Sequence, residues 1–349
     1  MFRALSVLGS WITDFSDRQE KLQKIQINVI GYGWATHAFM QQIDHRKYNV
    51  QVISERVGRL NQPGLVAAIE EASPASIVLA PVCPIVQDSC QSVDLSANRV
   101  IGIKGEYPYD LLVIAAGSEP NDFKIPGIRT FCHMFKTEDD LRSLQSALPT
   151  KKNVVVMGAG PTGIELACRL RSMGHTVSII EASQQILPGF SAAMQNRTEK
   201  ILTENGVTVH RGTPILGVTE SMIKTKTGDL LWAQRSDLLI WTCGVQPVPF
   251  VRDRLFRVNG SLQVEGTSNV WMMGDCAAGP LRGPPTAQNA RQQGAYLADQ
   301  LNGSLSLSPC EPYSYHEIGR FLDLTYGYMI EVFGVCVYIP ADFFMQVAF

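Results

Sequence analysis

The chain has 349 residues, a formal net charge of −2 and 18% charged residues. That length leaves room for two domains with ample cores, and so balanced a charge offers no electrostatic footprint for nucleic acid. Eight cysteines without a C-x-x-C pair and six histidines without H-x-x-x-H support neither a disulfide framework nor a metal site, and a reducing compartment is the expected setting.

From Met1 to Glu20, apolar residues recur at helical spacing (Phe2, Leu5, Leu8, Trp11, Ile12, Phe15). Residues 1–24 read as an accessory helix docking on the protein's own surface, with an interfacial or targeting helix as the alternative; the apolar core is too short to span a bilayer. At Ile25 a nucleotide unit begins. Val29 and Ile30 close a strand, Gly31-Tyr32-Gly33-Trp34-Ala35-Thr36 forms a glycine turn, a helix runs to about Ile43, and a strand over Val50 to Ile53 leads to Glu55. A carboxylate at the end of a second strand is placed to accept the hydroxyls of an adenosine ribose. Thr36 stands where a third glycine is usual, so its Cβ either pushes the helix from the strand or is absorbed locally.

Between Glu55 and Ile101 the pattern fades. Asn61-Gln62-Pro63-Gly64 marks a turn, Leu65 to Glu71 reads as a short helix, and Pro74, Pro81 and Pro84 break the remainder. A buried strand, Asp110 to Ala116, then ends at Gly117. Glu119 to Gly127 is a loop, and Glu138 to Leu148 a short amphipathic helix.

A second unit spans Lys152 to Glu181, as strand, glycine turn, helix and strand. Gly158 allows the tight turn, Gly160 close approach of a pyrophosphate, and Gly163 helix–strand packing, while the N-terminus of the amphipathic segment read from Ile164 to Met173 presents free N–H groups to phosphate. Glu181 takes the ribose place. Nothing basic follows it closely, which argues for NADH over NADPH. Gly31 and Gly158 are 127 positions apart, Glu55 and Glu181 126, and Gly117 and Gly244 127. This repeat means two dinucleotide-binding folds in one chain, and two nucleotides held so that they meet suggest electron transfer between them.

After Gly244 a hairpin is expected around Asn259-Gly260, and the strand Val270 to Met273 delivers Gly274-Asp275. Asp275 is read as a ribityl-hydroxyl acceptor or an N-cap. Pro284 to Leu301 reads as a helix whose first turn carries Thr286, Ala287 and Gln288 and whose positive end would favour an anionic reduced flavin. The segment from Tyr313 to Phe349 is apolar with few cations; it reads as a membrane-surface or dimer contact, or as a buried strand pair.

These residues carry a family resemblance. The paired glycine loops, the strand ends at Gly117 and Gly244, and Met273-Gly274-Asp275-Cys276-Ala277 resemble the two-dinucleotide-binding flavoprotein reductases. Within them, Gly31-Tyr32-Gly33-Trp34, the run Ile43-Asp44 with Lys47-Tyr48-Asn49-Val50, and Ala287-Gln288-Asn289-Ala290-Arg291-Gln292-Gln293-Gly294 are similar to type II, non-pumping NADH:quinone oxidoreductases. The resemblance implies an α/β fold of two Rossmann-like domains: an FAD domain (25–150 and 266–312) interrupted by an NADH domain (151–265), and a short C-terminal segment (313–349). It implies hydride transfer from NADH to FAD and then two electrons to a quinone, by a protein peripheral on a membrane, the mitochondrial inner membrane or the cytoplasmic face in a bacterium, and a homodimer. Gly31, Gly33, Trp34, Ala35, Thr36, Glu55, Ala116 (where the family usually has threonine), Gly117, Gly274 and Asp275 would serve FAD. Gly158, Gly160, Pro161, Thr162, Gly163, Glu165, Glu181 and Gly244 would serve NADH. Ala287, Gln288 and Gln292 would line the flavin and quinone face, so that Glu165, Gln288 and Gln292 are the expected catalytic residues. Two alternatives stay open: a reductase with a protein or soluble acceptor, and a degenerate nucleotide-binding module with little turnover.

Overall fold

A computed structural model describes residues 24–71, 78–150, 153–228, 230–231, 237–253, 256–277, 279, 282–303 and 311–341. The accessory helix expected in residues 1–24 falls, but for Lys24, outside them. Two five-stranded parallel sheets organise the chain. In the first, Ile25–Ile30 is central, with Tyr48–Ser54 and Ile85–Gln87 on one side and Leu111–Ile114 and Val270–Met272 on the other. The second has the same order around Asn153–Met157, with Thr176–Ile180 and Thr208–His210 on one side and Asp237–Trp241 and His133–Met134 on the other. The strands are near-continuous apolar runs because both faces are covered. Since the chain leaves the first sheet after Ile114 and returns at Val270, the second unit is an insertion in the first, and the α/β fold of two Rossmann-like units is borne out.

The segment that carried no clear pattern repeats as well. Cys90–Asp94, Arg99–Gly102 and Glu106–Pro108 form an antiparallel meander matched by Ile215–Val218, Met222–Thr225 and Leu230–Leu231. Both meanders carry a register shift in the first strand, at Cys90/Ser92 and Ile215/Gly217. Leu65 to Glu71 is covered by 3-10 turns (Gln62–Gly64, Ala67–Glu70) rather than one helix.

Two short strands join the units. Ser118–Pro120 follows Gly117, Val245–Pro247 follows Gly244, and they pair antiparallel, Ser118 with Pro247 and Pro120 with Val245. Both glycines have positive φ, which lets each chain turn out of its sheet.

The helices Trp34–Gln42 and Ala287–Gly303 run side by side in the same direction. They pack tightly at Gly294, where a Cβ would lie 2.1 Å from Ala35 O, and their far ends meet where Asn302 bonds Gln42 and Asp44. The second helix starts at Ala287 rather than Pro284, because Pro284 and Pro285 precede a Thr286 hydroxyl that accepts the Asn289 N–H at 3.2 Å. Beyond it, Arg320–Asp323, Gly327–Val332 and Val335–Pro340 form a three-stranded antiparallel sheet. One face (Leu322, Met329, Cys336, Tyr338) packs on the second unit's core, while Phe321, Val332, Val335 and Val337 of the other are exposed.

Candidate functional site

The glycines of the two loops divide by cause. Gly31 (φ +93°) and Gly158 (φ +105°) need left-handed backbone, and a Cβ on Gly31 would lie 2.5 Å from Ala115 O. At Gly163 a Cβ would sit 2.0 Å from Gly158 O, so that glycine serves helix–strand packing. Gly33 and Gly160 differ. Neither has positive φ, and a Cβ on either meets nothing within 4 Å. Nothing in the protein itself asks for glycine there; space left for an approaching ligand does.

The helices behind them agree. Gly33 and Gly160 are N-caps that make no side-chain capping bond, whereas Thr137 and Ser191 cap their helices through their hydroxyls. Uncapped N–H groups at a positive helix end fit an anion such as a pyrophosphate.

Thr36 is absorbed without displacing its helix. It is fully buried, and its hydroxyl donates to Gly31 O at 2.8 Å. In the second unit the equivalent Gly163 has no hydroxyl to offer; Thr242, on the adjacent strand end, donates toward Met157 O (2.9 Å) and Gly158 O (3.2 Å). The position equivalent to Thr242 is Ala115, so each unit has one hydroxyl serving its turn, supplied from opposite sides.

A cavity of about 520 Å³ opens at the carboxyl ends of the first sheet's strands. Gly31, Gly33, Trp34 and Ala35, Glu55, Ala116 and Gly117, Gly274 and Asp275, and Ala287 all line it. Carboxyl ends at a topological switch point are the expected ligand position in such sheets. Lys136, Thr137 and Val248 to Phe250 close it from the linkers to and from the second unit. A second cavity, of about 550 Å³, adjoins through the shared Ser118 and Asp275 and is lined by Val245 to Pro247, Pro284, Pro285 and Tyr315.

Around the cavity, carboxylates hold local donors. Glu55 accepts from Ser89 Oγ at 2.5 Å. Asp275 Oδ2 accepts from Ser118 Oγ at 2.6 Å and pairs with Lys136 Nζ at 3.3 Å. Lys136 and Ser118 carried no sequence signal, because neither belongs to a loop motif. Glu181 receives the N–H of Ala159 at 2.7 Å and both the N–H and hydroxyl of Ser183 at 2.8 Å, which fixes it beside the second glycine loop. That loop lines neither cavity.

The motif Ala287 to Gly294 distributes its alanines and glutamines three ways. Ala287 and Ala290 face the first cavity. Gln293, fully buried, accepts the Gly274 N–H at 2.7 Å and donates to Arg282 O, so it shapes the turn that presents Asp275. Gln288 and Gln292, expected on the flavin and quinone face, are turned to the C-terminal segment: Gln288 Oε1 accepts from Tyr315 Oη and Ile318 N, and Gln292 exchanges bonds with the His316 backbone. Glu165 is also engaged by that segment. Its carboxylate accepts the Asp323 N–H at 3.0 Å, and burial, with the Asp323 carboxylate adding to it, pushes its pKa up to about 7.

The sequence and fold have known relatives. The chain is 27% identical, over 79% of its length, to the mitochondrial external alternative NADH-ubiquinone oxidoreductase of Yarrowia lipolytica, of which it spans 59%. It is 26% identical, over 74% of its length, to the mitochondrial external alternative NAD(P)H-ubiquinone oxidoreductase B3 of Arabidopsis thaliana, of which it spans 56%. The chain thus spans less than two thirds of the length of these curated relatives. It superposes on NDH2 from Plasmodium falciparum in complex with NADH with a TM-score of 0.81 at 18% identity, covering 93% of this chain and 94% of that one. A ferredoxin reductase from Rhodopseudomonas palustris gives 0.75 at 18% identity, covering 88% and 82%. At these identities the two structures bear on the fold alone. The family model of the pyridine nucleotide-disulphide oxidoreductases matches residues 25–294, the greater part of the sequence, and the chain belongs to that family.

Proposed function

We propose that the chain is an FAD-dependent oxidoreductase that takes hydride from NADH and passes two electrons to a quinone, without proton pumping. The observation that carries this reading is the convergence of the first glycine loop, Glu55, Gly117, Asp275 and the N-terminal turn of Ala287–Gly303 on one cavity, closed by linkers from a second unit with its own uncapped glycine loop. Residues 25–150 and 266–312 form the FAD domain and 151–265 the NADH domain. The flavin, when bound, supplies the hydride-accepting chemistry.

The chain's own residues bind and orient. Backbone N–H groups of Trp34 and Ala35 hold the FAD pyrophosphate, Glu55 takes ribose hydroxyls, and Asp275, steadied by Lys136 and Ser118, takes a ribityl hydroxyl. Gly160, Pro161 and Thr162 receive the NADH phosphates and Glu181 its adenosine ribose, and nothing basic follows Glu181 closely in the sequence to favour a 2′-phosphate. The relatives, named as ubiquinone oxidoreductases, support a quinone as the acceptor.

Among the described residues no helix is long and apolar enough to cross a membrane. The exposed apolar face of the C-terminal sheet supports peripheral attachment, which we place on the mitochondrial inner membrane because those relatives are mitochondrial, or a homodimer contact. A second reading, with a protein or soluble acceptor, is favoured by the engagement of Gln288 and Gln292 with residues 315–318. The visible spectrum of the purified protein, before and after NADH without oxygen, tests the proposal. A flavin band that bleaches, and recovers with added quinone, is expected. Absent flavin, or flavin that NADH leaves oxidised, would sink it.

A further inference from the structure

Among the described residues, three buried N–H donors in the first unit have no acceptor, and they sit on two touching side chains: Nε1 of Trp34, and Nε and Nη1 of Arg59. The Arg59 guanidinium lies over the indole, its carbon 3.8 Å from the ring centroid, and the residue is 7% exposed. Gly58 and Leu60 line the dinucleotide cavity whereas Arg59 between them does not. Successive residues of an extended chain point to opposite faces, so the guanidinium is on the far side of Trp34 from that cavity.

The surroundings do not balance its charge. His37 and Arg291 act on it or are acted on by it, and burial together with these cations lowers the pKa of His37; Tyr32 is the remaining ionisable group that reaches Arg59, and Cys83 lies beside Tyr32. Among the described residues no carboxylate enters this set. The parallel helices Trp34–Gln42 and Ala287–Gly303 both begin here, adding two positive dipole ends. The cover is the stretch 78–83, held to this wall by the two-residue ladder Arg59–Leu79 and Leu60–Val78 and by the Val82 N–H on Tyr32 Oη at 2.9 Å.

We propose that Arg59, with Arg291 and His37, forms a subsite for the oxyanion of a quinonoid ligand, reached by displacing the short cover 78–83, with a phenolate or enolate oxygen seated on the guanidinium that Trp34 holds flat. It rests on the quinone reading above and names the charged form of the acceptor that this site selects. A planar fork stacked on an aromatic face and lacking its own carboxylate is the donor geometry such an oxygen requires.

The probes are 2-hydroxy-1,4-naphthoquinone, an enolate at neutral pH, and its uncharged methyl ether, 2-methoxy-1,4-naphthoquinone. Each is dialysed to equilibrium against oxidised, flavin-loaded protein. The enolate is expected to bind about ten-fold tighter than the ether, the scale of one charge-assisted hydrogen bond. Arg59→Met should abolish the preference, Arg59→Lys keep part of it, and the exposed-site variant Arg291→Gln reduce it without risk to the fold. Equal affinities in the native protein, or a preference intact in Arg59→Met and Arg291→Gln, overturn the proposal. Flavin content is read in every preparation: a loss of flavin in Arg59→Met would hand the guanidinium to the dinucleotide and also overturn it. Failure of NADH to bleach the flavin refutes the reductase reading instead, and leaves the enolate preference measurable in its own right.

Discussion

Glu165→Gln isolates the contact between the second unit and the C-terminal sheet. The Glu165 carboxyl titrates near 7 in the folded chain, against 4.5 for an ordinary glutamate, because burial and the Asp323 carboxylate oppose its charge. Between those values the folded state binds the proton that the unfolded state has released, so stability is present in full below about 4.5 and falls as pH rises toward 7. At about 1.4 kcal/mol per unit the gap corresponds to at most about 3.5 kcal/mol. Glutamine keeps an acceptor for the Asp323 N–H, carries no charge, and leaves the other titrating groups in place. Thermal unfolding of native and variant protein, run in parallel across this window, should therefore show Glu165→Gln gaining on the native chain as pH rises and then holding a constant lead. For a chain of this size that lead is on the order of 5 °C. Amide exchange of the Arg320–Asp323 strand should move with it. A difference that is the same at both ends of the window, or that shrinks with pH, would refute the assignment of a neutral, buried Glu165.

Other outcomes follow from the glycines and hydroxyls. Gly33→Ala should fold normally yet lose flavin, and Gly160→Ala should keep flavin while its Michaelis constant for NADH rises, since neither Cβ meets protein; circular dichroism with flavin absorbance checks both. Glu181→Ala should weaken NADH by about 1 to 3 kcal/mol with flavin unchanged, read by titration of the bleached band. Thr36→Val leaves Gly31 O without its buried donor and should cost about 1 to 3 kcal/mol by thermal shift, whereas adding Ala115→Thr should recover part of it by supplying the hydroxyl from the strand side, as Thr242 does.

Much of the fold was legible because its signals are local. A strand, a glycine turn and an amphipathic helix within thirty or so residues announce themselves twice, and the constant spacing of Gly31/Gly158 and Gly117/Gly244 exposes the insertion. The third strands, Ile85–Gln87 and Thr208–His210, are 123 positions apart rather than 127, and the meander strands are too short to alternate cleanly, so the repeat was lost between Glu55 and Ile101. Thr36 was read as a steric problem because a sequence shows the added Cβ and hides the carbonyl its hydroxyl reaches. The helix motif at Ala287 was recognised, but which of its glutamines faces inward depends on residues 313–319, far along the chain and without periodicity. Arg59 gave no signal; its meaning comes from Trp34, 25 positions earlier, lying under it.

The strands that join the units have one more consequence. Ser118 in the first unit corresponds to Val245 in the second, and Pro120 to Pro247, yet the ladder pairs Ser118 with Pro247 and Pro120 with Val245. Each residue thus touches the counterpart of its partner's equivalent, which is the signature of an isologous two-fold contact, drawn here within a single polypeptide. Two identical subunits meeting this way would separate on dilution and would be bound to keep identical pockets. Joined covalently, the halves stay together at any concentration, and each is free to diverge from the other while the ladder keeps them in register.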